Sequence, residues 1–424
     1  HTLYFYRPTP DSLTPTAAMF EALHDSLGRA LVHFYPLAGR LRPVGGGRYK
    51  VACNAAGVPL VEAESERSLD DLADFSPSPA LEHLFLSVDA AARIEEVPLL
   101  LAQLTRFRCG GVSLGFSISH IIADGWSGLH FLQEWARVAR GLAVGTPPVF
   151  DRGAMRELAP PPGAPPCMFH HTEFDEPPLL HGETDAEGER RNPTACSTLW
   201  LTPVQVQKLR SAANEGRVNT GRPYTRYETV TAHVWRCLCK ARRHREDQAT
   251  GLAVQVDFRN RVRPALPRGY FGNAVADVVA MGLSGEVTGR PVRHAAGLIR
   301  EAIERVSQAY VWSATEFLRG RPDLSAFRAF FLTTAEEPFF GNPNLGVSSW
   351  LQLPLYGLDL GWGEEIHMGV GMLDCDGDIV ILPSHAGDGS VAVVACLQKR
   401  HTESFRRIFY EDIGSGSCDD VAVH

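Results

Sequence analysis

The chain has 424 residues, of which 44% are hydrophobic and 21% charged. This composition excludes a disordered, collagenous or coiled-coil protein and leaves room for two domains, or three at most. The 41 Lys and Arg against 49 Asp and Glu give a formal net charge of −8, which argues against nucleic acid or an anionic membrane as main partner, since both need a concentrated basic face. A local arginine cluster could still hold a small anion. The nine cysteines sit mostly alone in apolar contexts (Cys53, Cys196, Cys396), which suits a reducing cytoplasm better than a disulfide framework. No run of about 18 apolar residues occurs, nor does a glycosylation sequon. The chain opens at His1 and not at Met, so a preceding segment is expected.

Phe20, Leu23, Leu27 and Leu31 recur at spacings of three and four, and predict a helix from Ala17 to about Val32. Pro36 ends it and Gly39 permits a turn. Strand-like pieces follow at Tyr49–Cys53 and Val58–Ala63. Leu99–Arg108 and Val112–Ile118, joined by Cys109-Gly110-Gly111, read as a hairpin. The second of these delivers its end to Ser119-His120-Ile-Ile-Ala-Asp124-Gly125, and a helix follows from about Ser127 to Arg140. Gly145 to Asn192 is crowded with proline and reads as an interdomain crossover. Thr202 caps a helix to Ala213 with proline at its first position. A helix over Tyr227–Arg242 and a strand over Gly251–Asp257 come next. The last third reads as strand-rich, with strands at Ile366–Met372, Ile379–Leu382 and Val391–Leu397. Alternating strands and helices predict an α/β or α+β class with two sheets.

His120 is the sharpest chemical candidate. A neutral imidazole at a strand end is suited to take a proton from an alcohol or amine at neutral pH; a packed strand-end histidine is the plain alternative. Gly111-Val-Ser113-Leu-Gly115 matches a nucleophile elbow, but that motif needs strand, sharp turn and helix. Here the strand continues past Gly115, so a serine hydrolase is rejected. In Asp359-Leu-Gly361-Trp362-Gly363 the glycines allow close backbone approach, and the indole N–H could face developing charge; a tight turn with a half-buried Trp is the alternative. Basic residues cluster at Lys240, Arg242, Arg243 and Arg245, a solvated helix end. A second cluster, Arg259, Arg261, Arg263 and Arg268, could pair with Asp124 or hold phosphates. No zinc spacing is present, because Cys237-x-Cys239 is too close for a clamp, and there is neither a Walker sequence nor a Gly-x-Gly-x-x-Gly after a strand. No metal is expected.

Together His120-Ile-Ile-Ala-Asp124-Gly125 and Asp359-Leu-Gly361-Trp362-Gly363 resemble the paired motifs of the BAHD family of plant acyl-CoA-dependent acyltransferases, with Leu360 in place of the family's Phe. Tyr4-Phe-Tyr-Arg-Pro8, Tyr35-Pro-Leu-Ala-Gly-Arg40, Gly128-Leu-His-Phe131 and Gly269-Tyr-Phe-Gly-Asn273 are similar to its hydroxycinnamoyltransferase branch. The resemblance implies two chloramphenicol acetyltransferase-like α/β domains, each a mixed sheet with flanking helices. They would span residues 1–145 and 196–424, joined by a crossover at 146–195 and enclosing a channel. It implies acyl-CoA as co-substrate with no permanent cofactor, and His120 as general base. Trp362 would help to hold the oxyanion, although the family's loop is also expected to be architectural and remote from the base. Asp124 would be structural, pairing with Arg259 or Arg261. Thr225 and the stretch Gln255–Arg261, including Asp257, match the CoA side, and Thr2 and Tyr4 the acyl pocket. The protein is expected to act as a cytoplasmic monomer in plant secondary metabolism.

The acceptor is where this chain departs from its relatives. Family members using shikimate or quinate carry an Arg in Trp-x-Arg-Leu-Pro to clasp the acceptor carboxylate. The segment here is Trp350-Leu-Gln352-Leu-Pro354, and losing that charge would cost a carboxylate acceptor about 2–5 kcal/mol if the pair is buried. His385 replaces a small hydroxyl residue. Glu364, Glu365, Asp374 and Asp376 would suit a cationic acceptor, surface acids being the alternative. The expectation is therefore N-acylation of an amine such as tryptamine, tyramine, agmatine or a polyamine, giving a phenolamide. O-acylation of shikimate, quinate or another alcohol is the second reading, and a non-catalytic binder of CoA esters the third.

Overall fold

A computed structural model describes residues 1–8, 16–88, 91–156, 168–216, 221–324, 341–371, 373 and 375–414. The strands are β1 (Thr2–Tyr6), β2 (Arg40–Gly45), β3 (Arg48–Ala52), β4 (Leu60–Ser65), β5 (Leu100–Phe107), β6 (Val112–Ile118), β7 (Thr194–Leu201), β8 (Ala249–Asp257), β9 (Val275–Leu283), β10 (Leu345–Ser349), β11 (His367–Val370), β12 (Asp378–Pro383) and β13 (Val391–Gln398). They form two mixed sheets, ordered β11-β1-β6-β5-β4 and β7-β13-β12-β10-β8-β9, and a small β2-β3 hairpin. The class is α/β with two domains, as expected.

Helices Thr16–His33 and Gly125–Ala139 pack on the first sheet around Leu23, Leu27, Phe131 and Trp135. Helices Pro203–Asn214, Arg226–Ala241, Val292–Arg305 and Lys399–Glu411 pack on the second, around Leu209, Trp235, Ile299 and Phe405. The side chains of β12 alternate between the two cores. Ile379 and Ile381 join the second, whereas Val380 and Leu382 join the first. A strand covered on both faces has no polar side to show, hence the unbroken apolar runs of β12 and β13. One face of the second sheet is thereby the floor of the first domain.

Three departures from the sequence reading stand out. Residues 367–370, assigned by chain order to the C-terminal domain, pair with β1 and complete the first sheet. The last third, read as strand-rich, also holds the helices Val292–Arg305, Gln308–Arg319 and Lys399–Glu411. Of the strand read over Ile366–Met372, Met372 lies outside the described residues. The described parts of the Pro-rich segment are pinned: Val149 bridges to Tyr270, and buried His171 and Glu173 bond Ser313 and Tyr310.

Candidate active site

β6 runs antiparallel to β1 and ends at Ile118, so that His120 emerges at the sheet margin with its side chain exposed. Two connections fix this corner to the second domain. The Asn273 side-chain amide donates to the His120 carbonyl at 2.6 Å and to that of Ile121 at 3.3 Å. Asp124, 3% exposed, caps helix Gly125–Ala139 by accepting from the Ser127 N–H. Its Oδ2 accepts from Arg259 Nη1 at 2.7 Å, its Oδ1 from Nη2 at 2.9 Å, and the Ala274 N–H adds a further bond. A bidentate pair with every acceptor used is a rigid joint. Arg259 also donates to Ser127 Oγ and the Gly272 carbonyl, while its backbone N–H donates to Asp257. A Cβ on Gly125 would meet Leu353 Cδ1 at 3.0 Å. That contact places the Trp350–Pro354 segment beside the histidine loop. Gln352 on that segment is exposed.

The second sheet also carries a polar row. Ser348 Oγ donates to Gln255 Oε1 at 2.9 Å, and Gln255 Nε2 donates to Asp277 Oδ1 at 2.9 Å. The three residues sit side by side on β10, β8 and β9. Burial pushes the Asp277 carboxyl above the ordinary carboxylate range, with the Gln255 bond and the charge of His120 opposing. Asp277 and Ser348 were missed by the sequence reading. The available signal was a lone acid within the apolar run Ala274–Val279.

Arg259 rather than Arg261 holds Asp124; Arg261 Nη1 instead donates to the Ile303 and Val306 carbonyls. Thr225 spends its hydroxyl as a helix cap, accepting from the Glu228 N–H and donating to the Glu228 carboxylate. Tyr4 is buried in the first core, where burial and then nearby Glu365 raise its phenol pKa far above the usual value. Thr2 keeps a buried hydroxyl without a protein partner.

Trp362 does not meet His120. Its ring packs edge-on against Tyr6 at 5.3 Å, and Tyr6 lies opposite Val112. His120 follows the other end of β6, roughly 20 Å further at about 3.3 Å per residue. Gly361 and Gly363 adopt φ of +99° and +88°, and their N–H groups donate to Asp359 Oδ1. Asp359 Oδ2 reaches Arg140 at 3.4 Å. The loop is a structural turn under the first sheet, so the oxyanion role for Trp362 is withdrawn.

Two of the four acids considered for a cationic acceptor are engaged elsewhere. Glu365 is buried, with its two oxygens accepting from the Gly357 and Leu358 N–H groups. Asp376 is buried against Arg242 at 2.8 Å and also accepts from the Asn342 and Gln398 N–H groups. Glu364 is exposed, and Asp374 lies outside the described residues. His385 stacks edge-on against Tyr356 at 4.9 Å and lies 3.8 Å from Glu365. Both rings, with His367, Trp200 and Phe75, line a cavity between β11 and the second sheet. Among the described residues no cluster could hold a metal ion, and no helix is long and apolar enough to cross a membrane.

A model of the Transferase family matches residues 1–412. The chain is 41% identical to a hydroxycinnamoyl-CoA:piscidic acid hydroxycinnamoyltransferase of Actaea racemosa, over 97% of this chain and 92% of the relative. It is 39% identical to a shikimate O-hydroxycinnamoyltransferase of Nicotiana tabacum, over 97% and 91%. It is also 38% identical to a hydroxycinnamoyl-CoA:5-hydroxyanthranilate N-hydroxycinnamoyltransferase of Avena sativa, over 96% and 91%. The crystal structure of vinorine synthase shares the fold, with a TM-score of 0.70 at 22% identity over 95% of this chain and 87% of that one. The chain belongs to this transferase family, the BAHD acyltransferases.

Proposed function

We propose that the protein transfers a hydroxycinnamoyl group from its CoA thioester to an amine, with His120 as general base. The observation that carries the reaction class is the exposed imidazole at the meeting of two sheets, held by Asn273 and the Asp124–Arg259 joint. As the acceptor heteroatom attacks the thioester carbonyl carbon, its proton passes to His120. The tetrahedral intermediate then collapses and expels CoA thiolate, whose conjugate acid has a pKa near that of a cysteine, about 8.5, so it leaves readily. Gln255 on the facing sheet is suited to line the path of the CoA arm, and Thr2 and Tyr4 remain the proposed acyl side.

The amine rests on Gln352, open and uncharged where a carboxylate acceptor would want a guanidinium. A cationic amine finds less support than the sequence suggested, because Glu365 and Asp376 are already bonded within the fold. The second reading is O-acylation, favoured by the piscidic acid and shikimate specificities named for two relatives. Incubation with coumaroyl-CoA and a panel of tryptamine, tyramine, agmatine, spermidine, 5-hydroxyanthranilate and shikimate distinguishes them; preferred turnover of shikimate overturns the amine. An alkylamine must shed a proton with a pKa of about 10, so its rate should climb from pH 7 to 9. His120→Ala should lower kcat roughly 10²–10⁴-fold. Unchanged thiol release would leave a CoA-ester binder instead.

A further inference from the structure

We propose that Cys196 and Cys396 form an oxidisable dithiol, which a small-molecule disulfide of the oxidised glutathione class converts into a bridge between β7 and β13. The two are far apart in the sequence, where each reads as a lone cysteine in an apolar setting. In the structure they are direct partners of an antiparallel ladder, Cys196 opposite Cys396. Both are thiols. Among the described residues no other cysteine lies on a strand.

The register sets the geometry. The Lys399 N–H donates to the Pro193 carbonyl at 2.9 Å, and the ladder runs on without a shift from Thr194 opposite Gln398 to Leu201 opposite Val391. Hydrogen-bonded and non-hydrogen-bonded pairs alternate along such a ladder. Counted in from Pro193 and Lys399, the cysteines fall on a non-hydrogen-bonded pair. Trp200, at an equivalent position on β7, agrees: its N–H and carbonyl turn away from β13 to the Tyr410 hydroxyl. Pairs of this kind hold their Cα atoms about 4.5 Å apart and bring their side chains closest, within the roughly 4.4–6.8 Å that a disulfide spans. The two side chains also share a face. Val394 and Trp200 join the first core, whereas Ala395, Leu397, Leu199 and Leu201 join the second. By strand alternation Cys396 and Cys196 both turn toward the first domain, where the Cys196 thiol donates to the Leu373 carbonyl at 3.4 Å. Its contact with Cys196, and then burial, push the Cys396 thiol well above the ordinary cysteine range.

The two thiols differ in access. β7 is the outer strand of its sheet, and Cys196 is half-buried while Cys396 is fully buried. Cys196, as its thiolate, therefore attacks the S–S bond of the oxidant, forming a mixed disulfide and releasing one small thiol. Cys396 then gives up its proton and attacks the Cys196 sulfur, releasing the second small thiol. The protein loses two electrons and two protons, and the oxidant takes up both.

Peptide mapping of the whole chain tests this. After exposure to oxidised glutathione and alkylation, a non-reducing digest should contain a Cys196–Cys396 linked peptide, about 2 Da lighter than the two reduced peptides together. Dithiothreitol should return both thiols. Cys396→Ser should stop at the first step and keep glutathione on Cys196, and Cys196→Ser should leave Cys396 unmodified. The bridge is read on the parent protein, so the test stands even where a variant folds poorly. Alkylation of both residues after oxidation, glutathione retained on Cys196 of the parent, or a bridge from either residue to another cysteine such as Cys375 would each overturn the proposal. Glutathione found on Cys396 of Cys196→Ser would overturn the assigned order of attack.

Discussion

Asp124 joins the loop of one domain to the β8–β9 connection of the other, and the value of that joint lies in its being complete. Asp124→Ala would leave the Arg259 guanidinium, only 14% exposed, with the more distant Asp257 at 3.5 Å as its counter-charge in place of a bidentate pair. Breaking one partner of a buried pair costs about 3–5 kcal/mol, so a lower melting temperature is expected, together with a fall in kcat as the His120 loop loosens. Thermal melts and steady-state kinetics on one preparation check both; an unshifted melting curve would mean the pair is dispensable. The family resemblance implied this joint, with Arg259 or Arg261 as the partner of Asp124. What spacing could not say is whether an acid is free. Glu365 and Asp376 read as suited to a cationic acceptor, or else as surface acids, yet each is satisfied by backbone N–H groups, and Asp376 by Arg242 as well. Asp277 passed unnoticed among alanines and valines because a lone acid gives no sign in one dimension of the side chain, here Gln255, that will meet it.

At the scale of the element, β6 explains the false nucleophile motif. Ser113 is buried as the second residue of β6, which runs on past Gly115 to Ile118, and the flanking glycines answer to packing. A Cβ on Gly115 would stand 2.1 Å from the Leu84 carbonyl oxygen, and one on Gly111 would stand 2.4 Å from Leu69 Cδ1. Gly115→Ala should therefore destabilise by about 1–3 kcal/mol or more, because a backbone atom must move. Urea unfolding measures this, and an unchanged midpoint would refute it. The hairpin of β5 and β6 and the capped helices beginning at Pro203 and Arg226 were readable, since turns and caps are written in local chemistry. Helix Val292–Arg305 went unread although Ala295, Leu298, Ile299, Ala302 and Ile303 recur at spacings of three and four. What the spacing could not show is that Arg300 on the same helix is buried, held by Glu228 and by the Arg222 and Pro223 carbonyls.

At the scale of the whole molecule, the two-sheet plan was legible from alternating elements and the Pro-rich stretch, but the return of β11 to the first sheet was not. Four residues give too short a pattern to identify their partner. Buried histidines couple the packing to pH. His233, His244 and His367 are each pushed down to about 4 by burial. The unfolded chain protonates them near pH 6.5, so between roughly 6.5 and 4 it binds protons that the native state refuses. Stability is present above that window and lost as pH falls through it. A melting temperature on the order of 5–10 °C lower at pH 4.5 than at pH 7 is expected, and scanning calorimetry across the window checks it.

Because β11 is stitched to β1 while its flanks lead to β10 and β12, the polypeptide passes between the sheets three times. A clamshell motion would have to unzip that edge. If acceptors bind between the sheets as proposed, their selection would fall to walls held in place by this tie and not to closure around them.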